Sequence, residues 1–255
     1  MSEQLILDLP VRTLRGRGDF FVSSANALAL ATLEAPQGWP DGKLVLTGAP
    51  GTGKSHLARV WADENQAQVL GAGELASLDP GLQCCAAVVV EDADRLAGQR
   101  PAELALFHLH NLVLAANGRL LLTARTPPNR WPLILPDLAS RLQATACVTL
   151  EPPDDALLAA VLVKLFADRQ IAVTPALIHF LVARMERSAA AAGALVARLD
   201  AAALARGRPV SRGLAAEILD AEILVAELHD AELHANCPGR AGRAAKPATV
   251  RPPTV

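Results

Sequence analysis

Lys43-Leu44-Val45-Leu46-Thr47-Gly48-Ala49-Pro50-Gly51-Thr52-Gly53-Lys54-Ser55 decides the reading of this chain. Five residues rich in strand formers run into a glycine loop, and the loop runs into Ser55 to Glu64, whose pattern predicts a helix. Positions 48–55 fit G-x-x-x-x-G-K-[S/T] at every fixed place, in the strand, loop and helix context that turns the pattern into a phosphate cradle. Glycines let backbone N–H groups wrap a β-phosphate without Cβ clashes, and the helix start adds its partial positive charge. Lys54 can reach β- and γ-oxygens, and Ser55 can ligate Mg²⁺. The expected nucleotide-contacting set is Gly48, Pro50, Gly51, Thr52, Gly53, Lys54, Ser55 and His56.

Outward from the loop, the same punctuation recurs. Ala86 to Val90 ends at Glu91-Asp92; Arg119 to Thr123 follows the turn signal Asn117-Gly118; Ala146 to Leu150 precedes Glu151-Pro152-Pro153. Continuous apolar runs separated by helical segments predict strands buried on both faces, hence an α/β fold with a mostly parallel sheet flanked by helices. A carboxylate at the end of such a strand, beside a phosphate loop, stands where parallel sheets bind ligands. Glu91 is therefore expected on the Mg²⁺ side and Asp92 on the side of an attacking water.

The flanks read differently. Residues 1–15 form an expected tail, ending in Arg15-Gly16-Arg17-Gly18; Phe20-Phe21-Val22 and Ser23-Ser24-Ala25-Asn26 then give an apolar anchor and a helix cap. The base is expected over 16–152. From Asp154 to about Leu228 the text becomes Ala/Leu helices broken near Ala172 to Pro175 and Arg206 to Pro209, which predicts a small helical domain over 153–230. Residues 231–255 are Pro/Gly/Ala-rich, and beyond Cys237 they carry Arg240, Arg243, Lys246 and Arg251 without an acid, so disorder is expected there.

Composition narrows the function classes. The chain of 255 residues is 51% hydrophobic with a net charge of −2, enough apolar material for a sizeable core and no general basic excess to hold a phosphate backbone. Cys84, Cys85, Cys147 and Cys237 follow no metal or disulfide spacing, so reduced cytoplasmic thiols are expected. The opening Met1-Ser2-Glu3-Gln4 has neither the basic nor the long apolar pattern of a leader, and no run of about 18 apolar residues occurs, so neither secretion nor a membrane partner is expected.

With these motifs in place, residues 1 to about 220 resemble AAA+ ATPases of the DnaA replication-initiator family and its shorter relatives, the regulatory inactivators of DnaA (Hda). The resemblance runs through Phe21-Val22 with Asn26, the phosphate loop, the acidic strand end, and Leu121-Leu122-Thr123-Ala124-Arg125 at the sensor-1 strand. Its most specific segment is Leu135-Pro136-Asp137-Leu138-Ala139-Ser140-Arg141-Leu142. The resemblance implies a three-layer P-loop base with a helical lid, ADP or ATP with Mg²⁺ as cofactors, Thr123 at sensor 1, and Arg141 as a finger supplied in trans to a neighbour's ATP. It also implies that Gln4-Leu5-Ile6-Leu7-Asp8-Leu9 matches a Q-L-x-L-x-L peptide for the DNA polymerase III sliding clamp. Alternating leucines (Leu5, Leu7, Leu9) can fill an apolar groove while the Gln4 amide bonds its edge.

Two departures matter. The stretch after the expected lid is too short for a helix-turn-helix domain, so sequence-specific DNA binding is not expected. The segment resembling the sensor-2 helix, Ser188 to Ala194, contains no arginine; Arg187 and Arg198 flank it. Weak or absent intrinsic ATPase activity is therefore expected, with stimulation of hydrolysis in DnaA as the leading function. A self-sufficient, oligomerising ATPase and a helicase-loader-like protein are the alternatives.

Overall fold

The computed structural model describes residues 11–13, 19–77 and 86–221. The clamp-peptide residues Gln4, Leu5, Leu7 and Leu9, the expected disordered stretch 231–255, and Cys84, Cys85 and Cys237 lie outside them.

Strand β1 (Val11–Thr13) pairs antiparallel with β2 (Asp19–Phe21), so pairing begins inside the stretch read as a tail. Helix α1 (Ala27–Glu34) leads to β3 (Lys43–Thr47), and α2 (Lys54–Asn65) follows the phosphate loop. Then come β4 (Gln68–Gly71), β5 (Ala87–Glu91), α3 (Arg100–Ala115), β6 (Arg119–Ala124), α4 (Pro136–Gln143) and β7 (Ala146–Thr149). The five strands β3 to β7 form one parallel sheet in the order β4-β5-β6-β3-β7. This parallel α/β sheet with helices on both faces is the three-layer arrangement expected of the base.

The apolar runs are buried on both faces because successive side chains point oppositely. Val45, Val88, Val90, Leu120 and Leu122 face a core closed by α3 and α4, while Leu44, Leu46, Val89 and Leu121 face one closed by α1 and α2. Strand β4, absent from the sequence reading, is an edge strand with exposed Val69 and so carries no continuous apolar run.

Past residue 154 only helices occur among the described residues: α5 (Asp155–Asp168), α6 (Pro175–Val182), α7 (Ala189–Arg206) and residues 212–221. They enclose a third core around Phe166, Leu181, Val196 and Leu199. The break between α6 and α7 lacks proline and glycine; Ser188 makes it, its side chain accepting the Ala191 N–H as N-cap. No described helix is long and apolar enough to cross a membrane.

One buried carboxylate shapes the base. Glu103, 0% exposed in the first turn of α3, accepts N–H bonds from Gly98 (2.8 Å), Ile134 (2.9 Å) and Leu135 (2.9 Å). It thereby fastens the chain entering α4 to the start of α3. Glu103→Ala takes the partner from three partly buried N–H donors and is expected to cost about 1–3 kcal/mol. Urea unfolding checks this; an unchanged midpoint would show that the carboxylate holds nothing.

Candidate functional site

The site is built where β3 ends. Gly48 has a φ of 155°, and a Cβ there would lie 2.5 Å from Leu150 O, so the loop can leave the strand beside β7 only as glycine. Thr52 Oγ1 donates to Ala49 O at 3.0 Å and closes the loop on itself. Lys54 begins α2, is 7% exposed, and donates through Nζ to Gly48 O and Ala49 O, both at 2.7 Å. Burial lowers the Lys54 pKa, Asp92 and Asp94 pull it back up, and Arg125 pushes it down. Ser55 and His56 are exposed, the His56 pKa being lowered by burial and then by Lys164 and Arg59.

Two cavities meet at this loop. One, of about 380 Å³, is lined by Pro50, Gly51, Gly53, Lys54, Ser55, His56, Asp92, Arg125, Ala189 and Ala190. The other, of about 320 Å³, is walled by Leu150, Pro153, Leu157, Val161 and Leu165 with Asn26 and Phe21. Gly53, His56 and Ala189 line both. A polar chamber opening on an apolar one suits a ligand with an anionic end and a flat apolar end. Asn26 shapes the apolar chamber through the backbone: Oδ1 accepts the Ser23 N–H and Nδ2 donates to Phe21 O.

The acidic strand end divides its two carboxylates. Asp92, in the left-handed region with a φ of 55°, lines the polar cavity and pairs with Arg95 at 3.3 Å. Glu91 lines neither cavity; its Oε2 pairs with Arg59 at 3.2 Å. Glu91 Oε1 and Asp94 Oδ1 are buried with no hydrogen-bond partner. Of the hard-cation oxygens here, the Ser55 hydroxyl and Asp92 line one cavity, whereas Glu91 and Asp94 do not. No described group of three or more acidic, His or Cys side chains could cage a metal alone. A hydroxyl with one carboxylate is a donor set that Mg²⁺ can use, its remaining shell being water and phosphate oxygens.

Thr123 is 1% exposed, and its Oγ1 accepts the Asp92 N–H at 3.1 Å; it steadies Asp92 and lines neither cavity. Arg141 stands apart from the loop residues. It is exposed, and its guanidinium lies 5.2 Å from the Phe107 ring centroid. Lys43, the first residue of β3, donates to Arg141 O at 3.3 Å. Five strand residues span roughly 16 Å, so Arg141 sits at the far end of the sheet from its own phosphate loop.

The helical domain docks directly on the loop. Ala189 N–H donates to Gly51 O at 3.0 Å, and Ser188 Oγ to the same oxygen at 3.4 Å. Arg187 pairs with Asp155 at 2.6 Å and Arg198 donates to Ile218 O at 3.3 Å; neither lines the polar cavity. The cavity-lining residues missed by sequence reasoning are Arg125, two places beyond Thr123, and the lid alanines 189 and 190. Their only signal was adjacency to a motif, since alanine carries no chemistry of its own.

These elements make a parallel α/β base with a phosphate-loop motif and a helical domain over it. No protein-family model matches the chain. Among solved structures, domain III of the Thermotoga maritima replication initiation protein DnaA aligns with a TM-score of 0.68 at 16% identity, covering 78% of this chain and 92% of that one. A replication initiator DnaA bound to AMPPCP and single-stranded DNA aligns at 0.59 and 15% identity, covering 70% of this chain; this chain spans 62% of that one. The FIGL-1 AAA domain in complex with ADP aligns at 0.56 and 16% identity, over 76% and 78% of the two chains. The fold is thus shared with DnaA and other AAA+ proteins.

The lid contact makes a double test. Gly51 has a φ of 76°, and a Cβ there would lie 2.1 Å from Ser188 Oγ. Gly51→Ala is expected to lose about 1–3 kcal/mol of stability. Ser188→Gly, a tolerated N-cap, should restore part of that loss in the double variant. Strictly additive unfolding free energies would show that the two residues do not touch.

Proposed function

We propose that this chain is a DnaA-related regulatory AAA+ protein of the Hda type, which binds ADP or ATP with Mg²⁺ and promotes hydrolysis of DnaA-bound ATP at the clamp, restraining replication initiation in the cytoplasm. The purine belongs in the apolar chamber and the phosphates in the polar one, held by Gly48 to His56. Ser55, with Asp92 or its neighbouring carboxylates, would hold Mg²⁺, which supplies charge neutralisation on the phosphate oxygens. That solved AAA+ neighbours carry AMPPCP or ADP supports an adenine nucleotide.

The observation that carries the reading is the position of Arg141. Its guanidinium is exposed at the sheet end opposite its own loop, so the nucleotide it can serve is another subunit's. An arginine supplied in trans stabilises the charge that develops on the transferred phosphoryl group. Such a finger is worth about 10³ to 10⁵ in rate, roughly 4 to 7 kcal/mol. Gln4, Leu5, Leu7 and Leu9 would bring it to DnaA by docking on the sliding clamp.

A self-sufficient ATPase is the second reading, favoured by Asp92 in the polar cavity, where a carboxylate can orient water. Against it stands the lid, which brings Ala189 and Ala190 to that cavity while Arg187 and Arg198 bond elsewhere. Steady-state turnover by the chain alone separates the two.

The decisive measurement is single-turnover hydrolysis of DnaA-bound ATP with DNA-loaded clamp. Arg141→Ala should lose at least 10³-fold of the stimulation while nucleotide and clamp binding persist; retained stimulation removes the finger. Gln4→Ala with Leu7→Ala should abolish clamp binding and leave the unfolding midpoint unchanged. Unaltered clamp affinity would make that segment something other than a docking peptide.

A further inference from the structure

The polar cavity contains a cation that the nucleotide reading does not use. Arg125 is exposed, lines the cavity with Lys54, Ser55 and Asp92, and forms no ion pair or hydrogen bond among the described residues. Its neighbours differ. Arg95 is paired with Asp92, Arg59 with Glu91, and Lys54 donates to two loop carbonyls. The two arginines beside the lid helix are also engaged, on Asp155 and Ile218 O.

The loop carrying Arg125 is fixed in place. Trp131, 7% exposed in the core, donates its indole N–H to Thr126 O at 2.8 Å. Thr123, two residues earlier, is bonded to the Asp92 backbone on the adjacent strand. The backbone that carries Arg125 is thus held on both sides, at Thr123 and at Thr126. Arg125 lines the same cavity as Lys54, so the two cations repel across it until an anion lies between them.

Resting on the nucleotide-site reading above, the geometry points to Arg125 as the residue that binds the terminal phosphate of a triphosphate. Discrimination between ATP and ADP then comes from the strand end, and the lid contributes only alanine side chains and its helix start. A guanidinium presents a planar fork of donors suited to phosphate oxygens. A diphosphate held by Gly48 to Ser55 leaves Arg125 without a partner, whereas a triphosphate engages it.

The test is nucleotide binding by the full chain, read by calorimetry with ADP and with a nonhydrolysable ATP analogue, each with Mg²⁺. Arg125→Ala should weaken the triphosphate about tenfold to a hundredfold and the diphosphate less than about threefold. Arg125→Lys should recover part of the difference. Arg187→Ala and Arg198→Ala should leave the ratio of the two affinities unchanged. Equal loss for both nucleotides, no loss for either, or a triphosphate-selective loss in a lid-arginine variant would overturn the assignment and leave the nucleotide site standing. A native chain that binds neither nucleotide would overturn the site reading itself, and this inference with it.

Discussion

In a sheet whose strands all run the same way, every loop that follows a strand lies on one edge and every loop that precedes one lies on the other. Strand β3, flanked by β6 and β7, makes that constraint chemical. Its last residue leads into the phosphate loop; its first, Lys43, is a 5%-exposed cation whose ammonium donates to Arg141 O and pairs with Asp41 at 3.6 Å. The nucleotide cradle and the proposed finger are therefore opposite ends of one rigid element. Neither can approach the other without breaking the ladder on both sides of β3, which is what the proposal that Arg141 serves a neighbour rests on.

The second organising contact joins the two parts of the chain. Gly51 O receives the Ala189 N–H at the start of α7, so the lid touches the loop through backbone rather than through a long side chain. Asp154, the N-cap of α5, receives the Leu157 N–H and the Ser24 hydroxyl, tying the same helical domain to the segment before α1. Burial raises its pKa, but these hydrogen bonds outweigh that and leave it below the ordinary carboxylate range. The apolar chamber lies between these two ties, and its walls come from both parts.

What was legible from sequence follows from how each feature is encoded. The central strands β3, β5 and β6 announced themselves because burial on both faces demands unbroken apolar runs. The loop announced itself because phosphate geometry restricts the residues at fixed spacing. Strand β4 did not, since an edge strand with an exposed face reads like any mixed segment. Neither did the break before α7, which is made by a serine cap where proline or glycine would have been conspicuous. Within the site, Lys54, Ser55 and Asp92 meet at one cavity as their spacing implied, but Glu91 bonds to Arg59 beyond it, and Thr123 reaches Asp92 rather than the cavity. Which of two adjacent carboxylates faces a ligand depends on one backbone torsion, the positive φ of Asp92, and such a torsion has no sequence signature for aspartate.

The placement of Arg141, the proposed finger, depends on groups remote from the phosphate loop. Helix α4 has only eight residues, too few to be stable alone, so its direction is set by what holds its ends. Glu103 fixes the entrance through Ile134 N and Leu135 N, Lys43 and Thr145 bond Arg141 O near the exit, and the Phe107 ring supports the guanidinium. Phe107 and Glu103 are four residues apart on α3, so a single helical face steadies both ends of α4. A displacement of about 1 Å at a catalytic group can cost on the order of 10² in rate. A buried carboxylate that costs stability to desolvate is thus explained if its role is to point an arginine. On the proposed reading, α3 orients the arginine through both ends of α4.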